Sequence, residues 1–309
     1  MNIDKSVPEH TPLNDHYQSW AKRNGFRDWA LAMIWIVVAF VLFQLTAGIV
    51  SVVLFLIFEG FDSAQSVEEM LGSRMDLLFI GNSTGQILFL CLASYLVARL
   101  HVSREGRKEF LRLKLRTNTG SMTALTAVLF IVVQPAVWYI GYLNSLIPVP
   151  EYFSDLQQMQ YQMIETFLRS DGILLLALFN IALVPAVCEE VMFRGYVQSA
   201  FEKSWGIWPA IIISGLLFGL FHIQLSNLLP LATLGVLLAL VTWLSGSLVP
   251  AIVAHFVNNG GAVMLAAYYP DLAFAELSPE TAPPVWVLVL SIALAFVIIR
   301  QLYRQSEYK

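Results

Sequence analysis

Residues 172–190 read GILLLALFNIALVPAVCEE, an apolar stretch that ends on two adjacent carboxylates, Glu189 and Glu190. The stretch has close to the length of about 20 residues that a helix needs to cross the hydrocarbon of a bilayer. An ionisable group inside a membrane costs roughly 3 kcal/mol on insertion scales, so such groups usually mark a pathway or a reaction centre. The carboxylate pair therefore predicts a functional site within a membrane helix.

The composition of the whole chain indicates an integral membrane protein. Of its 309 residues, 57% are hydrophobic and only 13% are charged, and the mean hydropathy is +0.67. Soluble domains contain about 45–50% apolar residues. We expect an all-α, polytopic membrane helical bundle with about eight transmembrane helices, formed by the apolar segments 29–58, 77–100, 121–146, 172–190, 207–223, 228–246, 248–268 and 285–303.

The distribution of basic residues predicts the orientation of this bundle. With the N-terminus in the cytoplasm, 16 of the 18 Lys and Arg residues fall on the cytoplasmic side, and only Arg74 and Arg169 lie outside. The opposite orientation reverses that count, against the positive-inside rule. The first 27 residues lack the apolar core and cleavage site of a secretory signal. We therefore expect cytoplasmic N- and C-termini and a multi-pass protein of the cell (plasma or inner) membrane.

The chain is expected to form one helical bundle, because no hydrophilic stretch is long enough for a separate soluble domain. Within it, the ionisable membrane residues are concentrated in the second half. Residues 147–171 could add a short interfacial helix, as a lid or as a connector. We divide the chain into a cytoplasmic N-terminal segment 1–28, accessory helices 1–3 with their loops over 29–171, a catalytic core 172–268, and an external loop, last helix and cytoplasmic tail over 269–309.

Helical spacing places the polar residues of the core close together. The fourth helix is predicted to continue past Glu190 to Lys203, with a turn at 204–206 before the next helix. Glu189 lies 16 residues before Trp205 and His222 lies 17 after it. Both are therefore roughly 25 Å from the turn, at the same level. His255 lies only roughly 10 Å inside the cytoplasmic start of a later helix, so the turn must project roughly 10–15 Å into the cytoplasm to bring it level. With Asn259 one turn on from His255, all four can then meet in one site open to the cytoplasm.

This set of groups suits hydrolysis in an apolar setting. A carboxylate in a low dielectric has a raised proton affinity, which fits Glu189 as a general base that takes a proton from water. His222 could orient and deprotonate the same water, and His255 with Asn259 could stabilise an oxyanion. Glu190 and Arg194 are four residues apart and are predicted to pair, which would stabilise the second charge.

Three motifs resemble those of the CAAX protease and bacteriocin-processing (CPBP, or Abi) family of intramembrane proteases. Glu189-Glu190-Val-Met-Phe-Arg194 matches E-E-x-x-x-R, Phe218-Gly-Leu-Phe-His222 matches F-x-x-x-H, and His255-Phe-Val-Asn-Asn259 matches H-x-x-x-N. The resemblance covers about 172–268. It implies an eight-helix protease similar to the type II CAAX prenyl endopeptidases, which remove the last three residues of prenylated C-termini. By motif match, Glu189 and His222 would activate water, and His255 and Asn259 would form the oxyanion pair.

A zinc site is the alternative to a mechanism without metal. Glu189, His222 and His255 are the residues that would bind the ion, leaving a fourth position open. The sequence lacks the H-E-x-x-H pattern that places two ligands and a base on one helix. His255 and Asn259 on adjacent turns favour a pair of hydrogen-bond donors. We therefore expect no cofactor and keep zinc as the alternative.

Two other functions are compatible with the sequence. The carboxylates and histidines could relay protons in a transporter, but no internal repeat is visible. The same pocket could serve a non-catalytic peptide-binding or bacteriocin immunity protein. The expected partners are a hydrophobic or lipidated peptide or protein substrate and membrane lipids, with no nucleic acid, since the basic loop 104–116 reads as a topology signal. The sequence carries no signal for an oligomeric state.

Overall fold

The computed structural model describes residues 18–60, 74–168, 173–274, 278 and 281–307. The described residues form α-helices and connecting turns, with no β-strand among them. This confirms the all-α, polytopic helical bundle. Residues 1–17 of the predicted N-terminal segment lie outside the described residues, as do 61–73, 169–172 with Arg169, 275–277, 279–280 and the last two residues of the tail.

Helices α1 to α13 follow one another along the chain. In the accessory half they are α1 Trp20–Arg23, α2 Asp28–Glu59, α3 Met75–Leu100, α4 Arg107–Phe110, α5 Thr119–Val132, α6 Gln134–Ser145 and α7 Glu151–Leu168. In the second half they are α8 Leu174–Trp205, α9 Ile207–Phe221, α10 Leu228–Ser245, α11 Val249–Tyr268, α12 Pro270–Ala273 and α13 Val285–Gln305.

Six of these helices are long and apolar enough to cross a membrane: α2, α3, α8, α10 with the turn before it, α11 and α13. The predicted segment 121–146 is broken into α5 and α6, which are bent by 46° and would make a seventh span if counted as one. Pro135 explains the break, because it has no N–H to donate to the preceding turn. The predicted segment 207–223 forms α9, whose 15 residues are short for a span. The number of spans and the cytoplasmic termini stay predictions.

The helix that carries the carboxylate pair lies at the centre of the bundle. As predicted, α8 continues beyond Glu190; it ends at Trp205, two residues after the predicted end at Lys203, and only Gly206 separates it from α9. Over its most apolar stretch 56% of the residues are buried, against 17% for α2 and 11% for α13. Two π-helical stretches, Leu178–Leu183 and Val191–Val197, flank the carboxylates. Widened turns of this kind occur often at functional sites.

Two glycines let α9 and α10 approach each other closely, as the four-residue spacing of Gly215 and Gly219 suggests. A Cβ built on Gly215 would lie 2.6 Å from the backbone nitrogen of Val236, and one on Gly219 would lie 2.9 Å from that of Ala232. Small residues at such contacts are common between membrane helices. This close packing fixes His222, at the end of α9, relative to the core.

We expect Gly215→Ala to lower the thermal unfolding temperature of the detergent-solubilised protein. The added methyl group meets backbone that cannot move aside, and overpacking of this kind costs about 1–3 kcal/mol. Gly48→Ala in α2 is the matched control, because a Cβ there has nothing within 4 Å. Equal unfolding temperatures for the two variants would contradict the close packing of α9 on α10.

A helix covers the end of the α9–α10 hairpin, where an interfacial helix was expected. This helix is α7, which is longer than the short helix predicted near residue 151. Gln224 donates to the side chain of Gln160 over 3.0 Å, and Asn227 donates to the hydroxyl of Tyr161. The segment that follows His222 is thereby bound to α7.

Candidate active site

Glu189 and His222 face each other across a short gap, as their equal distance from the turn predicts. His222 Nε2 lies 3.9 Å from Glu189 Oε2. Glu189 is only 7% exposed, and its Oε2 has no hydrogen-bond partner. A separation slightly beyond hydrogen-bond length between two polar atoms suits a bridging water. An unsatisfied buried carboxylate is costly for the fold, so this arrangement points to chemistry.

The other ring nitrogen of His222 defines its tautomer. Nδ1 lies 2.8 Å from the carbonyl oxygen of Phe218, one turn earlier in α9. Because a carbonyl only accepts hydrogen bonds, Nδ1 carries the hydrogen. In the neutral ring, Nε2 then presents its lone pair to the gap beside Glu189. His222 is thus oriented as an acceptor for a hydrogen of water.

Glu190 differs from Glu189 because one oxygen of its fully buried carboxylate is paired. Its Oε1 accepts hydrogen bonds from Arg194 Nη1 and from His255 Nδ1, each over 2.8 Å. This confirms the predicted Glu190–Arg194 pair. Arg194 also donates to the carbonyl of Gly235 over 3.0 Å, which joins α8 to α10. The Oε2 atoms of Glu189 and Glu190 both lack a hydrogen-bond partner, so the two carboxylates differ in that Glu190 is held through Oε1 whereas Glu189 faces His222.

The ring of Phe218 lies at the centre of the cationic and imidazole groups. The Arg194 guanidinium lies 4.3 Å from its centroid, a cation–π contact. The rings of His222 and His255 lie at steep angles to it, with centroids 4.9 and 5.7 Å away. Phe218, the first residue of the F-x-x-x-H motif, thus packs both histidines and the arginine in one layer.

Asn259 is held from α8 by a backbone carbonyl. Its Nδ2 donates to the carbonyl oxygen of Ile181 over 3.1 Å. That carbonyl is accessible because Pro185, four residues on, has no N–H to donate to it. His255 is buried, and its bond to Glu190 through Nδ1 leaves Nε2 as the remaining polar atom of the ring. The two residues lie one turn apart on α11.

A cavity of about 30 Å³ lies among these side chains, large enough for a water molecule. Its wall is apolar on the side of α5 and α10 and polar on the side of α9 and α11. The lining residues are Phe130, Phe218, His222, Leu231, Leu234, Leu238, His255, Asn258 and Asn259. Glu189 is not among them, but it lies next to the cavity because it faces His222, which lines it.

All the residues that the sequence analysis singled out meet in this region. Two side chains were missed as site residues. Asn258 lines the cavity beside Asn259, and Gln134 contacts Asn258 from the break between α5 and α6. A polar residue next to Pro135, in an otherwise apolar segment, is the signal that could have pointed to Gln134.

The predicted zinc ligands do not form a metal-binding group. Among the described residues, no three His, Cys, Asp or Glu side chains come together in a way that could hold a metal ion. Glu189 and His222 face each other, whereas His255 directs its Nδ1 to Glu190. The three side chains that the sequence offered as zinc ligands are therefore not grouped around one point, and no step of the proposed mechanism is routed through a metal.

Comparison with known proteins agrees with the motifs. Residues 171–261 match the family model described as type II CAAX prenyl endopeptidase Rce1-like. The match spans α8 to the middle of α11 and includes all three motifs. Comparison with curated proteins and with solved structures gave no significant match. Over residues 171–261, this multi-pass membrane protein is similar to the type II CAAX prenyl endopeptidase Rce1-like family.

Proposed function

We propose that this protein is an intramembrane endopeptidase that hydrolyses a peptide bond in a hydrophobic or lipid-modified peptide, near the cytoplasmic face of the cell membrane. The observation that supports this most is the position of the buried Glu189 carboxylate opposite His222, next to a second carboxylate that is held by an arginine and a histidine. Glu190 accepts hydrogen bonds from Arg194 and His255 through Oε1, whereas Glu189 directs its Oε2 to within 3.9 Å of His222. The family match supports the reaction class, a CAAX-type endopeptidase.

The first step is activation of water between Glu189 and His222. The water donates one hydrogen to Glu189 Oε2 and the other to His222 Nε2, which leaves an oxygen lone pair for attack. As the new C–O bond forms at the substrate carbonyl, Glu189 takes the proton. When the C–N bond of the tetrahedral intermediate breaks, Glu189 returns this proton to the leaving amine. The products are a carboxylic acid and an amine, and the enzyme is unchanged.

The negative oxygen of the intermediate is stabilised by His255 and Asn259, which line the cavity next to His222. Because Glu190 accepts the hydrogen of His255 Nδ1, donation from Nε2 requires the imidazolium form. With that form, Glu189, Glu190, Arg194 and His255 carry charges that sum to zero, which suits a buried site. Fixed donors aimed at a developing charge usually contribute more to such catalysis than any other single effect.

The position of the site supports access from the cytoplasmic side. His255 lies six residues after Val249, the first residue of α11, or roughly 9 Å along the helix. Next to this end, Leu248 donates to the carbonyl of Arg112 over 2.9 Å. Arg112 belongs to the basic loop 104–116, which the positive-inside rule assigns to the cytoplasm.

The proposal can be tested with the purified protein and a library of hydrophobic peptides, half of them farnesylated on a cysteine near the C-terminus. Mass spectrometry of the products identifies the bond that is cut. We expect cleavage at a defined position, with preference for one half of the library. A library left intact by the folded wild-type protein would contradict proteolysis and favour the peptide-binding or immunity alternative.

Activity is expected to be independent of metal. Because no triad of metal-binding side chains is present among the described residues, exhaustive treatment with a chelator should leave the cleavage rate within about twofold of its starting value. Elemental analysis of the purified protein should find no stoichiometric zinc. Loss of activity on chelation, restored by added zinc, would contradict the glutamate mechanism.

A further inference from the structure

Asn258, next to the motif residue Asn259, also lines the cavity and binds its neighbour. Its Nδ2 donates to Asn259 Oδ1 over 3.1 Å. A carboxamide has one end that donates and one that accepts, and the two have nearly the same shape. Which end of Asn259 faces a substrate therefore depends on the partners that hold it.

The contacts of Asn259 select one of its two orientations. Its oxygen is occupied by Asn258, and its nitrogen lies 3.1 Å from the carbonyl of Ile181. A flipped Asn259 would place its oxygen against that carbonyl, two acceptors in contact. The nitrogen has two hydrogens, of which one is used by Ile181. The second remains for the cavity, where an oxyanion would need it.

Gln134 fixes Asn258 in turn. Its Nε2 donates to Asn258 Oδ1 over 3.1 Å and to the carbonyl of Phe130 over 2.7 Å. With its oxygen held by Gln134, Asn258 must direct its nitrogen toward Asn259. The Asn258–Asn259 bond is partly buried, and the Gln134–Asn258 bond is exposed at the surface of the helical bundle, where lipid offers an amide few other partners. These hydrogen bonds run from Gln134 at the α5–α6 break, through Asn258 and Asn259 on α11, to the carbonyl of Ile181 on α8.

We infer that Asn258 and Gln134 are positioning residues that hold Asn259 with its N–H toward the reacting carbonyl. This inference rests on the proposed function, because it assigns a purpose to the oxyanion pair. Asn258 touches the catalytic group Asn259, Gln134 touches Asn258, and neither is assigned a contact with the reacting atoms. Through Gln134, the accessory half of the chain takes part in the chemistry of the core.

The test uses Asn258→Leu, which keeps the approximate shape and removes both hydrogen bonds. The assay is hydrolysis of a fluorogenic peptide spanning the bond that the library identifies. Removing an oxyanion donor outright costs about 10²–10³ in kcat. Because misorientation is partial, we expect a fall in kcat of about tenfold or more with KM unchanged. Gln134→Met should also lower kcat.

The decisive comparison is made in an Asn259→Ala background. There, Asn258→Leu should cause no further loss of kcat, because the group that it orients is gone. An equal fold-loss in both backgrounds, or an unchanged kcat in the wild-type background, would overturn the inference. The single variants Asn259→Ala and Glu189→Gln test the proposed proteolysis, whereas Asn258→Leu tests the positioning role. A failure of the inference can therefore be told from a failure of the proposed function.

Asn180→Leu is the matched control for the loss of a buried amide. Asn180 accepts from Ser83 and donates to the carbonyl of Leu176, yet it does not line the cavity. We expect Asn180→Leu to lower the unfolding temperature and to leave kcat near the wild-type value. If Asn180→Leu lowers kcat as much as Asn258→Leu does, the effect is structural and the positioning role is wrong.

Discussion

Replacing Glu189 with glutamine is expected to abolish peptide hydrolysis without destabilising the protein. General bases contribute about 10²–10⁴ in rate, and the amide of glutamine cannot take a proton from water. We expect kcat on the fluorogenic peptide to fall by at least about 10³-fold. Because Glu189 Oε2 has no hydrogen-bond partner to lose, the thermal unfolding temperature should stay equal or rise.

The control for this change is Glu202→Gln, on the same helix. Glu202 pairs with Arg112 and lies 13 residues beyond Glu189, roughly 20 Å along α8. We expect this variant to keep most of the wild-type kcat. If Glu189→Gln keeps its activity, or if it loses activity only because it unfolds, Glu189 is not the base.

Replacing Arg194 with methionine should have the largest effect on stability. The guanidinium is fully buried and donates to Glu190 and to the carbonyl of Gly235. Its removal leaves the Glu190 carboxylate with His255 as its remaining hydrogen-bond partner among the described residues. Breaking one side of a buried ion pair costs about 3–5 kcal/mol, which denaturation in mixed detergent micelles can measure.

The double variant Glu190→Gln with Arg194→Met separates charge from packing. Neutralising both partners removes the uncompensated buried carboxylate, so part of the lost free energy of unfolding should return. A double variant that is less stable than Arg194→Met would show that the ion pair is not the cause. Activity is not the readout here, since Glu190 also holds His255.

The parts of the site that follow from helical geometry could be predicted. A constant rise per residue places Glu189 and His222 at one level on either side of the turn, and the structure brings them to 3.9 Å. The four-residue spacing of Glu190 and Arg194 likewise predicts their 2.8 Å contact. These relations depend only on distance along one helix or across one hairpin.

Contacts between distant helices could not be predicted in the same way. The bond between His255 and Glu190 depends on how α11 is rotated against α8, which spacing within either helix does not specify. The contact of Gln134 with Asn258 depends on the bend between α5 and α6, where the sequence suggested one continuous segment. Such partners emerge from packing, and the sequence showed only that the polar groups were available.

The central claim, proteolysis by Glu189, is tested most directly in native membranes. Cells that express the wild-type protein or Glu189→Gln at matched levels are compared by quantitative profiling of new peptide termini, with folding of both verified by thermal shift. We predict termini that arise only with the wild-type protein and share one sequence pattern around the cut. Identical sets of termini from the two membranes would contradict the proteolytic function.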